Sequence, residues 1–305
     1  MGDHVPPPLD ADLLQRSNAI GLRHLFEHLA LLALTGSIVA LTSWSWPLCS
    51  VATTAHAVVL SHLYMPFHEA THGTAFESAS LCQMIAWPLG FVIFMNTDSF
   101  RYFHKEHHEQ TQKWGRDPEL PGANGSLTNY LNKLLGGEMA VALYHFGRSA
   151  LIGERAEGPW VPDHARGRVV ASTRLQCAGY ALCAALAVVS PAIRWHLLHL
   201  WLLPLLVGQP AMWGHFIAQH TATDYDADAR HTARVVLTHP FYEWLSWNMN
   251  YHAVHHMHPR VPFHQLPKAF ARLSRASRDG CFKHVERKGY LHAHAAVLKA
   301  ALAGH

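Results

Sequence analysis

The first half of the chain contains a long stretch without charged residues. Between Glu27 and Glu69 there is no Asp, Glu, Lys or Arg, and one continuous helix over this stretch would extend about 60 Å, twice the ~30 Å hydrocarbon thickness of a bilayer. The pattern therefore predicts two membrane-spanning helices joined by a turn at Ser43–Leu48, where a proline and two tryptophans suit a helix start at the membrane interface. The predicted spans are Leu29–Trp46 and Pro47–Phe67.

The second half contains two more apolar stretches. Leu175–Ile193 and Trp195–Gly214 are also free of Asp, Glu, Lys and Arg, and each is long enough to cross a bilayer once. Pro191 predicts a very short turn between them. Of the 24 Lys and Arg residues, only Arg194 falls in a loop assigned to the far face. The positive-inside rule therefore predicts that both chain termini lie in the cytoplasm.

The polar segments divide the chain into three parts. Residues 1–20, with three Asp and three consecutive Pro, predict a flexible, partly extended tail and not a signal peptide. Residues 21–270 form the predicted membrane domain, in which residues 127–152 have the pattern of one or two amphipathic surface helices. Residues 271–305 are basic and then rich in Ala and His, and they predict a C-terminal surface helix and tail.

Composition supports a membrane protein. Hydrophobic residues make up 50% of the chain and charged residues only 15%, whereas soluble domains have about 25% charged residues. The net charge of +3, without Lys or Arg runs interleaved with aromatics, argues against nucleic-acid binding. The five Cys form no C-x-x-C pair, so no disulfide framework or iron–sulfur module is predicted. Any electrons must come from another protein.

Histidine clusters are the candidate chemistry. The stretch Trp247–Pro267 contains three histidines at i, i+3 and i+4, which a helix presents on one face. The same spacing recurs earlier, and a pair at i, i+4 precedes it. These three boxes are His68 and His72; His104, His107 and His108; and His252, His255 and His256. Eight imidazoles exceed the four ligands of a tetrahedral zinc ion and suit a site for two metals with open positions.

The boxes also determine how residues 78–97 are placed. This segment carries no charge and by length alone could cross the membrane. Box one precedes it and box two follows it, so a single crossing would separate two boxes that must reach one site. A break at Trp87, Pro88 and Gly90 favours a re-entrant or interfacial segment. The predicted fold is an all-α integral membrane protein with four transmembrane helices, this segment, and a cytoplasmic helical cap that holds the metal site.

The three boxes resemble those of the membrane fatty acid desaturase and hydroxylase superfamily. The resemblance covers residues 25–270 and is strongest in the third box, N-x-N-Y-H-x-x-H-H-M-x-P-x-V-P-F-x-x-L-P. Box one departs from it, since His-Glu stands where His-Asp is frequent. The resemblance implies a non-haem diiron centre with O₂ as co-substrate and one further histidine ligand after the last span. The context of Gln219 favours His220 over His215, so the implied ligands are the eight box histidines and His220.

The resemblance also implies the reaction class. We expect O₂-dependent oxidation of an unactivated C–H bond in a lipid-like substrate, with fatty acyl desaturation favoured and hydroxylation or carotenoid-type ketolation as alternatives. A separate electron donor of ferredoxin, rubredoxin or cytochrome type, with its reductase, is expected as partner. The expected location is the bacterial inner membrane.

Two further residue patterns qualify this interpretation. His68, Glu69 and His72 also spell H-E-x-x-H, the signature of a zinc protease in which the glutamate is the general base, but that alternative leaves two boxes without a role. Asp117 and Glu119 follow box two and are candidates to accept the second N–H of ligand imidazoles, with a solvated loop as the alternative. Asn250 and Tyr251 flank box three and are candidates to orient its ligands.

Overall fold

The computed structural model describes residues 9–120, 126–276 and 281–303, and within them the chain forms sixteen α-helices and two short strands. In chain order the helices are α1 (Asn18–Leu41), α2 (Trp46–Ser61), α3 (Tyr64–His72), α4 (Ala79–Val92), α5 (Thr97–Gln110), α6 (Leu127–Leu134), α7 (Gly137–Ile152), α8 (Asp163–Val189), α9 (Pro191–Leu197), α10 (Leu203–Val207), α11 (Gln209–His220), α12 (Ala229–Thr232), α13 (Pro240–Leu245), α14 (His252–Met257), α15 (Leu266–Ala276) and α16 (Tyr290–Ala303). The strands are β1 (Arg234–Val236) and β2 (His284–Glu286), which pair in parallel.

Four helical segments are long and apolar enough to cross a membrane, as the charge pattern predicted. They are Asn18–Leu41, Trp46–His72, Asp163–Val189 and Pro191–His220. The second combines α2 and α3. The fourth combines α9, a π-helical turn at Leu198–Leu202, α10 and α11.

The first and third of these helices begin earlier than predicted. The first begins at Asn18, where the Ser17 hydroxyl accepts a hydrogen bond from the backbone N–H of Ile20, and the third begins at Asp163. The sequence prediction began each span only after the last charged residue before it, but charged residues do not prevent a helix from starting earlier. Arg23 and Glu27 pair at 2.9 Å across one turn of α1, which supports the helix.

The charge-free segment after box one folds as α4, which meets α5 at an angle of 99°. The predicted break at Pro88 is wrong, since α4 continues through it. The chain turns after α4, where Phe94 has a left-handed φ of 59° and the Asn96 side chain caps α5. Gly90 is required beside this turn, because a Cβ there would lie 2.5 Å from the carbonyl oxygen of Met95.

The N-terminal segment of the described chain packs against α15, which follows the third box, and the C-terminal helix α16 packs against α11 and α6. Leu13 is fully buried, and the Asp12 carboxylate accepts hydrogen bonds from Lys268 and Arg272 on α15 at 2.7 to 2.8 Å. Packed structure thus precedes the predicted boundary at residue 21, and residues 1–8 lie outside the described chain. At the other end, α15 crosses the predicted boundary at residue 271 and β2 pairs with β1. The predicted C-terminal helix is present as α16.

The main hydrophobic core surrounds the histidine boxes. Its largest fully buried side chains include Phe67 on α3, Trp247 just before the third box and Phe263 just after it. The indole of Trp247 and the ring of Phe263 pack with centroids 4.4 Å apart. The box-bearing segments are therefore fixed by apolar packing as well as by the polar contacts of the histidines.

Candidate metal centre

The first box lies at the end of the second candidate span. α3 presents His68 and His72 one turn apart, so both imidazoles leave the same face of the helix. Gly73 ends α3 with a φ of 71°, a conformation that suits glycine. Next to His68, Glu69 Oε2 accepts a hydrogen bond from the backbone N–H of Phe263 at 3.2 Å. Glu69 therefore joins box one to the loop after box three.

The second box occupies the C-terminal half of α5. The helix begins at the Asn96 cap and carries His104, His107 and His108 on its last two turns. The ring of Phe100, one turn before, stacks on His104 with centroids 5.0 Å apart and planes 11° apart. An aromatic ring thus separates this box from the apolar helices.

The third box lies on the short, fully buried helix α14. Trp247 and Asn248, which precede it, have positive φ values of 50° and 57°, an uncommon conformation for non-glycine residues. Glu243 anchors this turn by accepting hydrogen bonds from the Asn250 amide and the Tyr251 hydroxyl, both at 3.2 Å. Asn250 and Tyr251, which were predicted to orient ligands or a bound water, thus hold the segment that carries box three through their bonds to Glu243.

In the described part of the chain, potential ligand nitrogens converge in two groups. Within each group they lie within 4.8 Å of one another. The first group is His68, His72, His104, His108 and His255, and the second is His107, His220, His252 and His256. The structure thus brings together all nine histidines predicted from the sequence, and boxes two and three each contribute to both groups.

Within each group the inward-facing nitrogen atoms lie at hydrogen-bond distance from one another. His104 Nε2 lies 2.8 Å from His68 Nε2 and 3.1 Å from His108 Nε2. In the second group, His252 Nε2 lies 2.8 Å from His220 Nε2 and 2.9 Å from His256 Nε2. Three nitrogen atoms that face one point in this way are arranged as ligands of a shared cation.

Imidazole rings of the two groups are in direct contact. His108 and His256 stack with centroids 4.2 Å apart and planes 20° apart, although they belong to different groups. His108 and His255 lie 4.8 Å apart, and His107 and His256 lie 4.9 Å apart. The two groups are therefore neighbours within one site.

Hydrogen bonds to the outer ring nitrogens fix the tautomers in the second group. His107 Nδ1–H donates to Asp117 Oδ1 at 2.8 Å, and His220 Nδ1–H donates to the carbonyl oxygen of Thr232 at 2.9 Å. Because these acceptors carry no proton to give, Nδ1 of each ring carries the hydrogen, and the neutral form of each imidazole has its lone pair on Nε2. That lone pair is the one available to a metal.

Two further rings are oriented in the same way. His104 Nδ1–H donates to Glu119 Oε1 at 3.1 Å, so both carboxylates predicted to bind ligand imidazoles do so. The Thr111 hydroxyl donates to the carbonyl oxygen of His107 at 2.6 Å and accepts from His256 Nδ1–H at 3.1 Å. Sequence reasoning missed Thr111, although its position one turn after His107 was an available signal.

The environment of the third box keeps its imidazoles uncharged. Burial and, after it, the neighbouring imidazoles hold the pKa of His252, His255 and His256 well below the ordinary value. Within the described residues, neither nitrogen of His255 has a hydrogen-bond partner, and neither does His72 Nε2. An unpaired buried polar atom costs about 1–3 kcal/mol, and coordination to a metal removes that cost. The residues present therefore fit a metal centre.

His215, the alternative to His220, lies outside both groups. Its Nδ1 is 3.2 Å from the Tyr242 hydroxyl and 2.9 Å from the Tyr290 hydroxyl, and its Nε2 accepts from the Gln219 amide at 2.9 Å. Both ring nitrogens are thus used within the protein. The structure places His220, and not His215, among the converging nitrogens.

The four candidate spans and the two histidine groups define a helical membrane protein with a histidine-lined metal centre. The family model for fatty acid desaturases matches residues 41–288, and the chain belongs to the fatty acid desaturase family. Membership confirms the resemblance seen in the boxes and implies an oxidoreductase, and together with the histidine groups it indicates a metal-binding centre of the iron type. No curated protein matched the chain.

The zinc protease alternative does not fit this site. His68 and His72 belong to a group with histidines of both other boxes, and the family match includes all three boxes. Glu69 accepts hydrogen bonds from Thr74 and from the backbone of Phe263 through one oxygen, which is a structural contact between boxes one and three.

Proposed function

We propose that this protein catalyses O₂-dependent oxidation of an unactivated C–H bond in a lipid-like substrate, with fatty acyl desaturation as the reaction. The observation that carries the proposal is the division of nine buried or half-buried histidines into groups of five and four whose rings are in contact, an arrangement that offers nitrogen ligands to two iron ions. When bound by neutral nitrogen ligands with open positions, two irons supply the reductive activation of O₂. Hydroxylation and ketolation are the alternative outcomes on the same scaffold.

The role of the protein in this chemistry is to position the ligands and to exclude water. Asp117, Glu119 and Thr111 each accept an Nδ1–H and so keep the Nε2 lone pairs facing inward. Outer hydrogen bonds of this kind raise the basicity of the imidazole and fix its orientation. Burial of the third box keeps solvent from the reacting carbon, which protects a reactive centre from side reactions.

A cluster of aromatic side chains offers a place for a hydrocarbon substrate. Tyr64, Phe67 and Phe100 pack on one another beside the first histidine group, and Phe216 packs on Tyr64 with centroids 4.6 Å apart. Tyr64 also stacks on His68, with centroids 6.0 Å apart. We place the acyl chain against this cluster, because oxidation of an unactivated carbon depends on holding it close to the metals.

We further propose that the boxes face the cytoplasm. The support is the placement of Arg194 between α8 and α11, the one Lys or Arg assigned to the opposite face. α4 is proposed to be re-entrant, since its 14 residues extend about 21 Å, less than the ~30 Å hydrocarbon core. A bacterial inner membrane is the proposed location, and a separate electron donor with its reductase the proposed partner.

Lipid analysis of a bacterial host that expresses the protein tests this function. We expect acyl chains with a new double bond when the wild-type protein is present and none with His255→Ala, because His255 has both ring nitrogens unpaired within the described residues. His196→Ala is the matched control, since His196 is exposed and bonds only its own helix. A hydroxylated product would favour the hydroxylase alternative, and unchanged lipids with iron-loaded protein would contradict the proposed substrate class.

A further inference from the structure

Two aromatic side chains stack on the surface beside the second histidine group. The rings of Trp114 and Tyr225 have centroids 5.0 Å apart and planes 26° apart. Trp114 is 48% exposed and Tyr225 is 40% exposed. Large aromatic side chains held in one orientation at the surface are characteristic of protein–protein contacts, where Trp and Tyr supply much of the binding free energy.

Gln112 connects this aromatic pair to His220. Gln112 precedes Trp114 by two residues, and its carbonyl oxygen accepts the backbone N–H of Asp226, the residue after Tyr225, at 3.2 Å. The Gln112 side-chain amide donates to the carbonyl oxygen of His220 at 3.1 Å. Trp114 follows Gln112 by two residues, and Tyr225 is next to Asp226, whose backbone N–H is hydrogen-bonded to Gln112. Both rings are therefore close in the chain to the contacts of Gln112.

Gln112 also leads to the second histidine of the same group. Its backbone N–H donates to Asp117 Oδ2 at 2.8 Å, and the other oxygen of that carboxylate accepts from His107 at 2.8 Å. Gln112 adopts a φ of 58°, which is strained for a residue other than glycine. The strained backbone of Gln112 therefore lies where the surface aromatic pair is connected to His220 and His107.

The charges around the pair favour an acidic partner. Lys113 and Arg116 flank Trp114 in the chain, and Asp224, which precedes Tyr225, is held by Lys283 at 2.6 Å. Asp226 is the remaining acidic residue next to Tyr225. A cavity of about 170 Å³ beside Tyr225 is lined by Lys133 together with hydroxyl side chains. The other carboxylates of residues 109–119 and 224–230 are already paired, Glu109 with Lys105, Asp117 with His107, Glu119 with His104 and Asp228 with Arg230. Among the described side chains around the pair, the charges outside ion pairs are Lys113, Arg116 and Lys133 against Asp226, and this positive excess accelerates association with acidic proteins.

We propose that Trp114 and Tyr225 form the contact through which an acidic one-electron carrier protein reduces the metal centre. The inference rests on the proposed function. For each O₂, two reduced carriers each lose one electron, the substrate loses two hydrogen atoms to become an alkene, and two protons from water complete the formation of two water molecules. Hydroxylation requires the same two electrons and two protons, so the contact serves either product.

The test uses the full-length protein in detergent and plant-type ferredoxin, an acidic one-electron carrier, as the probe. The variant is Trp114→Leu, and the matched control is Trp46→Leu, since Trp46 is 81% exposed at the turn between α1 and α2. We expect Trp114→Leu to weaken the binding of oxidised ferredoxin to the metal-free protein about tenfold. We also expect it to slow anaerobic oxidation of reduced ferredoxin by the iron-loaded protein about tenfold, whereas Trp46→Leu leaves both values unchanged.

Reduction by dithionite separates the contact from the centre. Because dithionite is small, we expect it to reduce wild-type and Trp114→Leu protein at the same rate. Equal slowing with ferredoxin and with dithionite, or no effect of the substitution, would overturn the inference. If Trp114→Leu does not assemble, Arg116→Glu replaces it, with weaker ferredoxin binding expected at low salt and no difference at high salt; a loss independent of salt would overturn it.

The same measurements distinguish this inference from the proposed function. A wild-type protein that takes up no electrons from either reductant contradicts the proposed function, whatever the variants do. If the wild-type protein and the Trp114→Leu variant take up electrons from ferredoxin equally well, that result contradicts only the contact proposed here.

Discussion

Asp117 accepts three hydrogen bonds at once, from His107 Nδ1–H and from the backbone N–H groups of Gln112 and Glu119. Burial raises the pKa of Asp117, but the bond from His107 and the two backbone groups outweigh it, and the pKa lies below the ordinary value. The carboxylate is therefore ionised at neutral pH. It fixes the ring of His107 in the orientation that leaves Nε2 free.

Replacing Asp117 by Asn is expected to weaken iron binding. The amide keeps the size of the side chain but removes the negative charge, and changes of this kind lower metal affinity by about 10- to 100-fold. The measurement is iron retained against a graded series of chelator concentrations. Glu109→Gln on α5 is the control, since that side chain is exposed and, among the described residues, pairs with Lys105 on its own helix. Equal loss of iron in both variants would contradict the role given to Asp117.

His215 and His220 are expected to respond differently to substitution. His220→Ala removes a converging nitrogen and should lower iron to roughly one ion per chain or less. His215→Ala should retain the iron, because His215 bonds to Tyr242, Tyr290 and Gln219. It should instead lower stability by about 1–3 kcal/mol, the cost of leaving buried polar groups unpaired.

Elemental analysis and thermal denaturation in detergent measure these two effects. Loss of iron in His215→Ala, with iron retained in His220→Ala, would exchange the roles of the two residues.

Spacing alone led to the eight box histidines, because i, i+3 and i+4 positions share a helix face whatever the tertiary structure, whereas His220 followed only from the family resemblance. The acceptors behind them were harder to predict. Asp117 and Glu119 were identified by their charge, but the partner of His220 is the carbonyl oxygen of Thr232, and a backbone atom has no signature in the sequence. The role of His215 also depends on residues distant in the chain.

Among the helices, α4 and α5 determine how box two reaches the site. They are joined at 99°, so α5 does not continue the direction of α4. The absence of charge predicted the apolar segment. Trp87, Pro88 and Gly90 placed the break inside it, whereas the chain turns after Val92. The turn instead depends on the close approach of Gly90 to Met95, a tertiary contact that a pattern of apolar residues does not reveal.

Cysteine labelling tests the proposed topology of these helices. In a cysteine-free background, Glu77→Cys and Glu109→Cys introduce single exposed thiols before α4 and at the end of α5. A membrane-impermeant maleimide is expected to label both from the same face and to label Trp44→Cys from the opposite face. Labelling of positions 77 and 109 from opposite faces would show that α4 crosses the membrane, which contradicts the re-entrant proposal.

At the scale of the whole molecule, contacts between distant parts of the chain hold the N-terminal and C-terminal segments in place. Asp12 binds Lys268 and Arg272, and β2 pairs with β1 so that Val285 lies opposite Val235. Contacts of this kind explain why the predicted boundaries near residues 20 and 270 differ from the packed structure. The number of candidate spans followed from hydropathy, but strands of three residues and ion pairs between distant residues give no periodic signal in the sequence.

Two histidine groups in one protein make a quantitative claim about metal content. We expect elemental analysis of protein purified from iron-replete cells to give about two irons per chain, since each group offers enough nitrogen ligands for one ion. His72→Ala should affect the first group and His252→Ala the second, so each variant should lose iron. About one zinc per chain without iron, or full iron in both variants, would contradict the account of a diiron centre built from these histidines.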